Sequence, residues 1–442
     1  MGRAGGRAGR RNAPRRAGGR FAPARTAACL LLGAAVAGLP AAGQDAGRLL
    51  TFGVSTGVTA RTNADLSATD PESSLAGNVG LDFSYSDATP VQSLSFSGNL
   101  TLRATNEDDL SNVGGPRLRF GYARAGRDAR LGVNAFVNRI DISTLRTTLD
   151  PIFDPDLGLI FDLDEIDGVG TRLDFGLSTE LELRRRAPFG ITLSAGYAGQ
   201  RFPDTDDGSE DRFRLGSSFR FDLNPVWNAS LGLSWSRFER DAERSLTING
   251  PVLVPAESRD TYSLSTGLTR DLPTGSVGVV FDATRTEDGE RYSTRLTHSR
   301  ELPLWTLSGS IGLAEGTSQD LSVVGTLDAV RQLRNGQVSI GLVRTIESDG
   351  DDDERERTSL RLGYGTELSP LMGLNASLNY IETSQSGADD SAGNINIDLS
   401  RRLTEDMSLN LGLAHRYDRD GDGTARDNIL SLSLRRTIAY RP

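Results

Sequence analysis

The sequence predicts an all-β fold, a single closed antiparallel barrel of about twenty strands within a range of about 18–22. Three observations predict it. Apolar residues alternate with small or polar residues along most of the chain, as they do in a strand with one apolar face. These segments are mostly about 9–13 residues long, the length with which a tilted strand crosses a bilayer. The links between them alternate between tight turns and longer acidic stretches.

The first element in chain order has the three parts of a secretory signal peptide. Residues 1–25 contain eight Arg and no acid, and a short apolar run and several small residues follow. We therefore predict a signal peptide over 1–43, cleaved near Gly43, and a barrel over 44–442. Cleavage removes those arginines and the only cysteine, Cys29, and changes the net charge from −10 to 41 − 59 = −18. A chain this acidic is not expected to bind nucleic acid.

The predicted strands follow directly from the period-two pattern. Over 75–85, 94–102 and 173–183, Leu, Val, Phe and Tyr alternate with small or polar residues. No segment longer than a turn or two has a convincing helical period. We place the strand starts near residues 48, 76, 92, 116, 129, 169, 188, 212, 228, 261, 276, 290, 304, 320, 336, 358, 373, 394, 406 and 428.

The connections sort into two classes. After every even-numbered predicted strand the link is a tight turn-forming sequence, as at Asp87–Pro90, Asn224–Pro225 and Ser369–Pro370. After odd-numbered strands the link is usually longer and acidic, as at Asp204–Asp211 and Glu347–Arg357. Short turns at one end and long loops at the other are the layout of an outer-membrane barrel, whereas a soluble solenoid or propeller repeats at one fixed period.

On this pattern, the chain over 48–442 resembles bacterial outer-membrane β-barrel proteins of the porin-like kind. The resemblance implies a bacterial outer-membrane location, with the termini and short turns in the periplasm and the long loops outside. It also implies outer-membrane lipid, lipopolysaccharide and the barrel assembly machinery as partners, and it leaves the oligomeric state open. Such barrels usually end on an aromatic residue, whereas here Tyr440 is followed by Arg441 and Pro442, and Arg436 falls in the lipid-facing register.

The second register of each predicted strand is small and polar. A dry core would need large apolar side chains at native density, so we expect a wet lumen. These charged residues fall in the lumen register: Arg103, Arg117, Arg119, Arg172, Arg212, Arg214, Arg220, Arg295, Arg361, Asp82, Asp174, Glu180, Glu182, Asp222, Asp282 and Asp398. They either pair off and brace the wall or form a separated charge ladder whose field orients solutes.

The third long link, residues 143–168, combines seven acids with a run of large apolar residues. It resembles the third external loop of many porins, which folds inward as a constriction, but strands could equally extend above the membrane as a hairpin. An inward fold would favour cations, because the carboxylates would line the pore. The candidate constriction residues are Asp154, Asp156, Asp162, Asp164 and Glu165.

Sites for other chemistry are few. Asp418, Asp420 and Asp422 have the spacing that opens an EF-hand loop, but position 12 is Ile429, so either a weak surface Ca²⁺ site or a plain acidic turn fits. No other cofactor is implied. The chain has two histidines, and both fall in the outward register, which disfavours an enzyme.

We therefore predict an outer-membrane channel for passive diffusion of small hydrophilic solutes or ions, and not an enzyme. Two alternatives stay open, an export channel for an acidic polysaccharide and a structural or surface-interaction barrel. An outer-membrane hydrolase is a remote third. The sequence does not identify the solute or show whether the lumen is open.

Overall fold

The computed structural model is a closed barrel built from one sheet of 20 antiparallel strands. The structure describes residues 47–64, 66–105, 113–141, 171–203, 208–247, 250–287, 289–317, 321–348, 354–385, 388–420 and 423–441. The signal peptide and its cleavage site lie outside the described residues and stay predictions.

The strands follow one another in chain order around the barrel. They are β1 Gly47–Arg61, β2 Ser74–Thr89, β3 Gln92–Thr105, β4 Val113–Ala125, β5 Ala129–Asp141, β6 Thr171–Leu183, β7 Phe189–Arg201, β8 Glu210–Asn224, β9 Trp227–Arg240, β10 Glu243–Thr247, β11 Gly250–Val254, β12 Glu257–Leu272, β13 Gly275–Arg285, β14 Glu290–Leu302, β15 Trp305–Glu315, β16 Ser322–Leu333, β17 Gly336–Ser348, β18 Glu354–Ser369, β19 Met372–Gln385, β20 Ala388–Arg402, β21 Met407–Asp420 and β22 Gly423–Tyr440.

The barrel closes where the first strand meets the last. β1 pairs with β22, so that Leu50 lies opposite Tyr440 and Arg61 lies opposite Ile429. Closure leaves no unpaired sheet edge, which a β structure in hydrocarbon requires. β9 pairs directly with β12, while β10 and β11 pair only with each other in the connection between them. The predicted all-β barrel of about twenty strands is confirmed, and the small hairpin is an addition to it.

The two ends of the barrel differ as predicted. Every connection between strands is short at the end that also holds Gly47 and Tyr440, which we call the turn end. The longer connections all lie at the opposite loop end, which also has two short ones, between β19 and β20 and between β21 and β22. The turn residues make the local bonds that their types favour. The Oδ1 atom of Asn224, for example, accepts hydrogen bonds from the backbone N–H groups of Val226 and Trp227, both at 3.0 Å.

Several strands begin earlier at the loop end than the sequence pattern indicates. β18 begins at Glu354, β20 at Ala388 and β22 at Gly423, each four to six residues before the predicted start. Backbone pairing continues there beyond the apolar band, where both faces of the strand meet water. The side chains therefore no longer alternate, and the period-two signal is lost.

The apolar side chains of the barrel face outward. Phe52, Leu264 and Leu413 belong to the outward register, and many such residues are exposed. Cross-strand pairing places them side by side, as where Leu264 lies opposite both Leu233 and Ala283. A water-soluble protein would not expose an apolar surface of this extent. Among the described residues, no helix is long and apolar enough to cross a membrane.

Aromatic and charged residues border this apolar surface at both ends. At the loop end the indole Nε1 of Trp235 donates to Asp260 at 3.1 Å. At the turn end the guanidinium carbons of Arg270 and Arg331 lie 5.8 Å and 5.2 Å from the ring centroids of Trp227 and Trp305. Bands of this kind mark the two membrane–water interfaces of transmembrane barrels.

Candidate functional site in the lumen

One row of inward-facing residues crosses nine consecutive barrel strands, from β2 to β12. Each member lies directly opposite the next in the ladder of pairs, and we call the set the polar row. It consists of Asp82, Asn99, Arg117, Asn138, Asp174, Gln200, Glu210, Arg240 and Glu257. Because barrel strands are tilted, a row perpendicular to them climbs around the wall. The row starts near the middle of β2 and ends at the loop end of β12.

A buried ion pair lies at the centre of this row. The Nε atom of Arg172 lies 2.7 Å from Oδ1 of Asp174, and its Nη2 donates to Oδ2 at 3.1 Å. Both side chains are almost completely buried, and the flanking Asn138 and Gln200 are buried as well. A bidentate pair in this environment has a fixed geometry, because either partner alone would be an uncompensated buried charge.

Three arginines surround one aromatic ring beside the pair. Arg212 and Arg259 lie directly opposite Phe238 on its two sides. The guanidinium carbons of Arg212, Arg240 and Arg259 lie 5.0, 5.6 and 5.8 Å from the ring centroid of Phe238. Glu210 pairs with Arg240 at 3.0 Å and with Arg212 at 3.7 Å. Arg259 pairs instead with Glu257. The ring and the two carboxylates together hold the three cations in place.

A second cluster lies at the seam between β1 and β22. Asp427 is fully buried, and its Oδ1 accepts from the backbone N–H groups of Thr62 at 3.1 Å and Asn63 at 3.0 Å. Its Oδ2 lies 2.8 Å from Nη2 of Arg61. Arg416 faces Asp427 across the ladder, and its Nε and Nη1 atoms are buried without a hydrogen-bond partner among the described residues.

Among the strand residues whose side chains the structure describes, the inward-facing charges are segregated by depth. In the loop-end half of their strands fourteen arginines accompany seven acids: Arg61, Arg103, Arg117, Arg172, Arg212, Arg214, Arg240, Arg259, Arg291, Arg295, Arg355, Arg357, Arg361 and Arg416, with Asp174, Glu210, Glu257, Asp282, Asp390, Asp418 and Asp427. In the turn-end half four arginines accompany nine acids: Arg130, Arg220, Arg402 and Arg435, with Asp82, Glu180, Glu182, Asp222, Asp271, Glu301, Asp328, Glu367 and Asp398. Arg119 lies at the midpoint of β4. Counted over these residues, the wall is positive toward the loop end and negative toward the turn end.

The residues predicted from sequence to form a lumen ladder all face inward, and the structure pairs only some of them. Arg220 lies 3.1 Å from Asp222, and Arg295 lies 2.5 Å from Asp282. Glu182 pairs with Arg130 at 3.4 Å. Glu180, Asp398 and three further acids of the turn-end half, Glu301, Asp328 and Glu367, make no side-chain hydrogen bond or ion pair with another described residue. Whether the charges orient a solute stays a prediction.

Other predicted site residues fall at or beyond the limits of description. The candidate constriction residues Asp154, Asp156, Asp162, Asp164 and Glu165 lie outside the described residues, as does Asp422. Asp418 faces inward on β21, and only the backbone of Asp420 is described. Within the described ranges no group of three or more His, Cys, Asp or Glu residues could hold a metal ion. The Ca²⁺ site stays a prediction.

Several residues of the two clusters were not predicted. Arg240, Arg259, Arg416 and Asp427 lie close to the loop end, where the alternation fades and the register is hard to assign from sequence. Leu413 and Leu430 face outward. If the outward–inward alternation is continued from them by a few positions toward the loop end, Arg416 and Asp427 fall in the inward register. The grouping around Phe238 could not have been found, because strand register across three chain segments decides it.

Comparisons with known proteins agree with this architecture. No protein-family model matches the sequence, and no curated protein matches it. Solved structures do match. The siderophore receptor PirA from Pseudomonas aeruginosa has a TM-score of 0.51 at 10% identity, covering 90% of this chain and 81% of that chain. A mutant ferric enterobactin receptor PfeA from the same organism, in complex with enterobactin, has a TM-score of 0.52 at 10% identity, covering 88% and 81%. The ferric-catecholate import receptor Fiu from E. coli has a TM-score of 0.52 at 9% identity, covering 90% and 82%.

The chain has the closed β-barrel fold of these receptors, which is the fold of outer-membrane barrels. At this level of identity the likeness shows the fold and no ligand. Outer-membrane barrels have short periplasmic turns and longer extracellular loops, so we expect the turn end to be periplasmic and the loop end to be extracellular.

The prediction of passive diffusion is wrong. The three similar structures named above are siderophore receptors, one of them named as an import receptor. The charge segregation supplies a physical reason. A small ion of either sign would meet one half of the wall that attracts it and another half that repels it. The sequence pattern shows that the inward residues are small and polar, which predicts a wet pore. It does not show how the charges are distributed along the depth of the lumen.

Proposed function

We propose that the barrel is an outer-membrane uptake receptor that binds an anionic ligand in the loop-end half of its lumen. The observation that carries the proposal is the excess of arginines over acids in that half. The names of the similar receptors suggest a ligand class to test, the ferric catecholates. Three catecholates on Fe³⁺ leave a net negative charge, which an arginine-rich wall would attract.

The cluster around Phe238 has the chemistry for such a ligand. Guanidinium groups donate charge-assisted hydrogen bonds to catecholate oxygens, and they do so in pairs because the donor fork is planar. The ring of Phe238 adds a surface against which an aromatic ligand packs. Because Glu210 and the ring already hold Arg212 and Arg240, little side-chain entropy would be lost on binding.

The turn-end half opposes the onward movement of the same ligand. Its excess of carboxylates includes Glu180, Asp328 and Asp398, which make no side-chain ion pair within the described part of the chain. An anion captured near the loop end therefore faces a repulsive exit. Capture and release would be separate steps, as in a receptor that takes up its ligand actively. The proposal involves no enzymatic step, and recognition by the barrel assembly machinery stays a prediction.

Uptake of labelled iron by whole cells tests the proposal. The full chain is expressed in a Gram-negative host that lacks its own siderophore receptors, and ferric enterobactin is compared with a neutral ferric hydroxamate. Arg212→Gln combined with Arg259→Gln should weaken ferric enterobactin binding by about tenfold or more, because each charge-assisted bond is worth roughly 1.5–3 kcal/mol. Arg270→Gln with Arg331→Gln, which face outward at the turn end, should leave binding unchanged.

Two results would contradict the proposal. One is the same uptake of the neutral and the anionic complex, because the arginine excess would then not select the ligand. The other is an equal loss of binding in the inward and outward double variants. Heat-modifiable migration of each variant in gels establishes that the barrel is folded.

A further inference from the structure

The lipid-facing wall has a groove of about 430 Å³ at the seam, formed by β20, β21, β22 and β1. We call it the seam groove. Ile395, Ile397, Leu413 and Leu430 line it, and each is between 42% and 49% exposed. Ala60 lies opposite Leu430 and leaves room above the wall, because its side chain is small. The groove is a preformed apolar depression in the extracellular half of the barrel surface.

Polar side chains end the groove on its extracellular side. His415 lies opposite both Ile395 and Asn428, and its Nδ1 lies 2.9 Å from Oδ1 of Asn428. The backbone N–H of Asn428 donates to Oγ1 of Thr62 at 2.8 Å. On β21 and β22 the outward side chains change from leucine to His415 and Asn428 at this row. It therefore marks the extracellular boundary of the apolar band.

Two cations lie just beyond that boundary on the same face. Toward the loop end, Arg426 lies two residues beyond Asn428 on β22, and Arg419 lies four residues beyond His415 on β21, which is about 7 Å and 14 Å along the strands. Both are exposed and belong to the outward register. Neither forms a hydrogen bond or ion pair with another described residue. Apolar surface, amide and imidazole groups, and cations thus follow one another outward along the wall.

A second groove of the lipid-facing wall lacks this arrangement. It measures about 610 Å³, lies across β8 to β14, and is bordered by Trp235 and Tyr262. Its cations already have partners. Arg237 lies 2.7 Å from Glu239, and Arg285 lies 3.8 Å from Glu290. An anionic headgroup would have to displace these carboxylates, so this groove serves as a matched control.

We propose that the seam groove binds one molecule of lipopolysaccharide through its lipid A moiety. An acyl chain would lie along Leu413 and Leu430, a glucosamine would meet His415 and Asn428, and a phosphate would contact the arginines beyond them. The proposal requires the outer-membrane location and not the proposed ligand of the lumen. Lipopolysaccharide occupies the leaflet that faces the loops, and its acyl chains and phosphates match this order of groups.

Native mass spectrometry of the full-length barrel, purified in detergent and titrated with defined bis-phosphorylated lipid A, tests the site. The wild-type protein should retain one lipid A at concentrations where annular lipid is lost. Arg419→Gln with Arg426→Gln should weaken binding by about tenfold or more, since two charge-assisted contacts to phosphate are removed. Arg237→Gln with Arg285→Gln should bind as the wild type does.

A second variant tests the apolar part of the groove. Ala60→Trp would fill the space above Leu430 while leaving both arginines in place, and it should also weaken lipid A binding. Equal retention of dephosphorylated lipid A or phosphatidylglycerol by the wild type would overturn the proposal. Two further results would also overturn it. In one, a second copy of the chain occupies the seam groove and lipid A does not displace it. In the other, all variants with folded, heat-modifiable barrels bind lipid A equally.

Discussion

The loop-end and turn-end halves of the lumen use charge in different ways. In the loop-end half, several arginines are held by specific carboxylates, as Arg172 is by Asp174 and Arg61 is by Asp427. In the turn-end half, Glu180 and Asp398 have no ion-pair partner among the described residues. Pairing fixes the position of a cation, which matters where a ligand must be recognised. Unpaired carboxylates act instead through the field that they produce together, which needs no precise geometry.

The largest expected effect comes from breaking the buried pair in the loop-end half. Arg172→Met alone leaves Asp174 buried without its cation, and the free energy of unfolding should fall by roughly 3–5 kcal/mol. Arg172→Met with Asp174→Leu removes both charges and should recover most of that loss. Urea unfolding of the refolded barrel, followed by tryptophan fluorescence, measures both. A single variant as stable as the wild type would show that the pair does not support the wall.

A smaller effect is expected at the seam. Asp427→Asn keeps an oxygen acceptor but loses the charge that Arg61 and two backbone N–H groups share. The cost should be about 1–3 kcal/mol. Hydrogen exchange of the amides of Thr62 and Asn63 should accelerate while exchange at the turn end stays unchanged. Uniform acceleration around the barrel would mean that Asp427 supports the whole fold and not the seam alone.

Neutralising carboxylates of the turn-end half should change how readily a bound anion leaves through that end of the lumen. It should not change how tightly the anion binds. In a variant with Glu180→Gln, Asp328→Asn and Asp398→Asn, the repulsive field weakens. Leakage of a bound anion from proteoliposomes should therefore rise a few-fold, with the affinity for ferric enterobactin changed by less than about twofold. The three residues have no described partners to lose. A large loss of affinity would show that the two halves act together on the ligand.

The sequence predicts the barrel and the direction of its side chains better than it predicts which side chains meet across the strands. The strand count, the two classes of connection and the inward register of Arg172, Asp174 and Glu180 follow from period-two alternation, because membrane strands expose one apolar face. The grouping of Arg212, Arg240 and Arg259 around Phe238 depends on cross-strand register between β8, β9 and β12, which local pattern does not encode. The predicted function was wrong because composition reports a polar lumen but not the depth of each charge.

The smallest effect concerns a turn-end residue whose position in the lipid-facing register was unexplained by sequence. Arg436 reaches out of the barrel surface to Asp406, with Nε 2.6 Å from Oδ2, while Thr404 donates to Oδ1 at 2.6 Å. The hydrogen bond from Thr404, and then that from Arg436, lower the pKa of the Asp406 carboxyl below its usual value. A lowered pKa in the folded state stabilises the fold above the unfolded value of about 3.9 and ceases to do so as the pH falls through the folded value.

The unfolding midpoint of the wild type should therefore fall slightly more steeply below about pH 4 than that of Asp406→Asn. Glu405→Gln, in the same turn, is the matched control, because Glu405 makes no side-chain hydrogen bond or ion pair with another described residue. It should keep the wild-type dependence. If Asp406→Asn and the wild type respond identically between pH 6 and pH 3, Arg436 is accommodated by its position at the membrane boundary and not by this carboxylate.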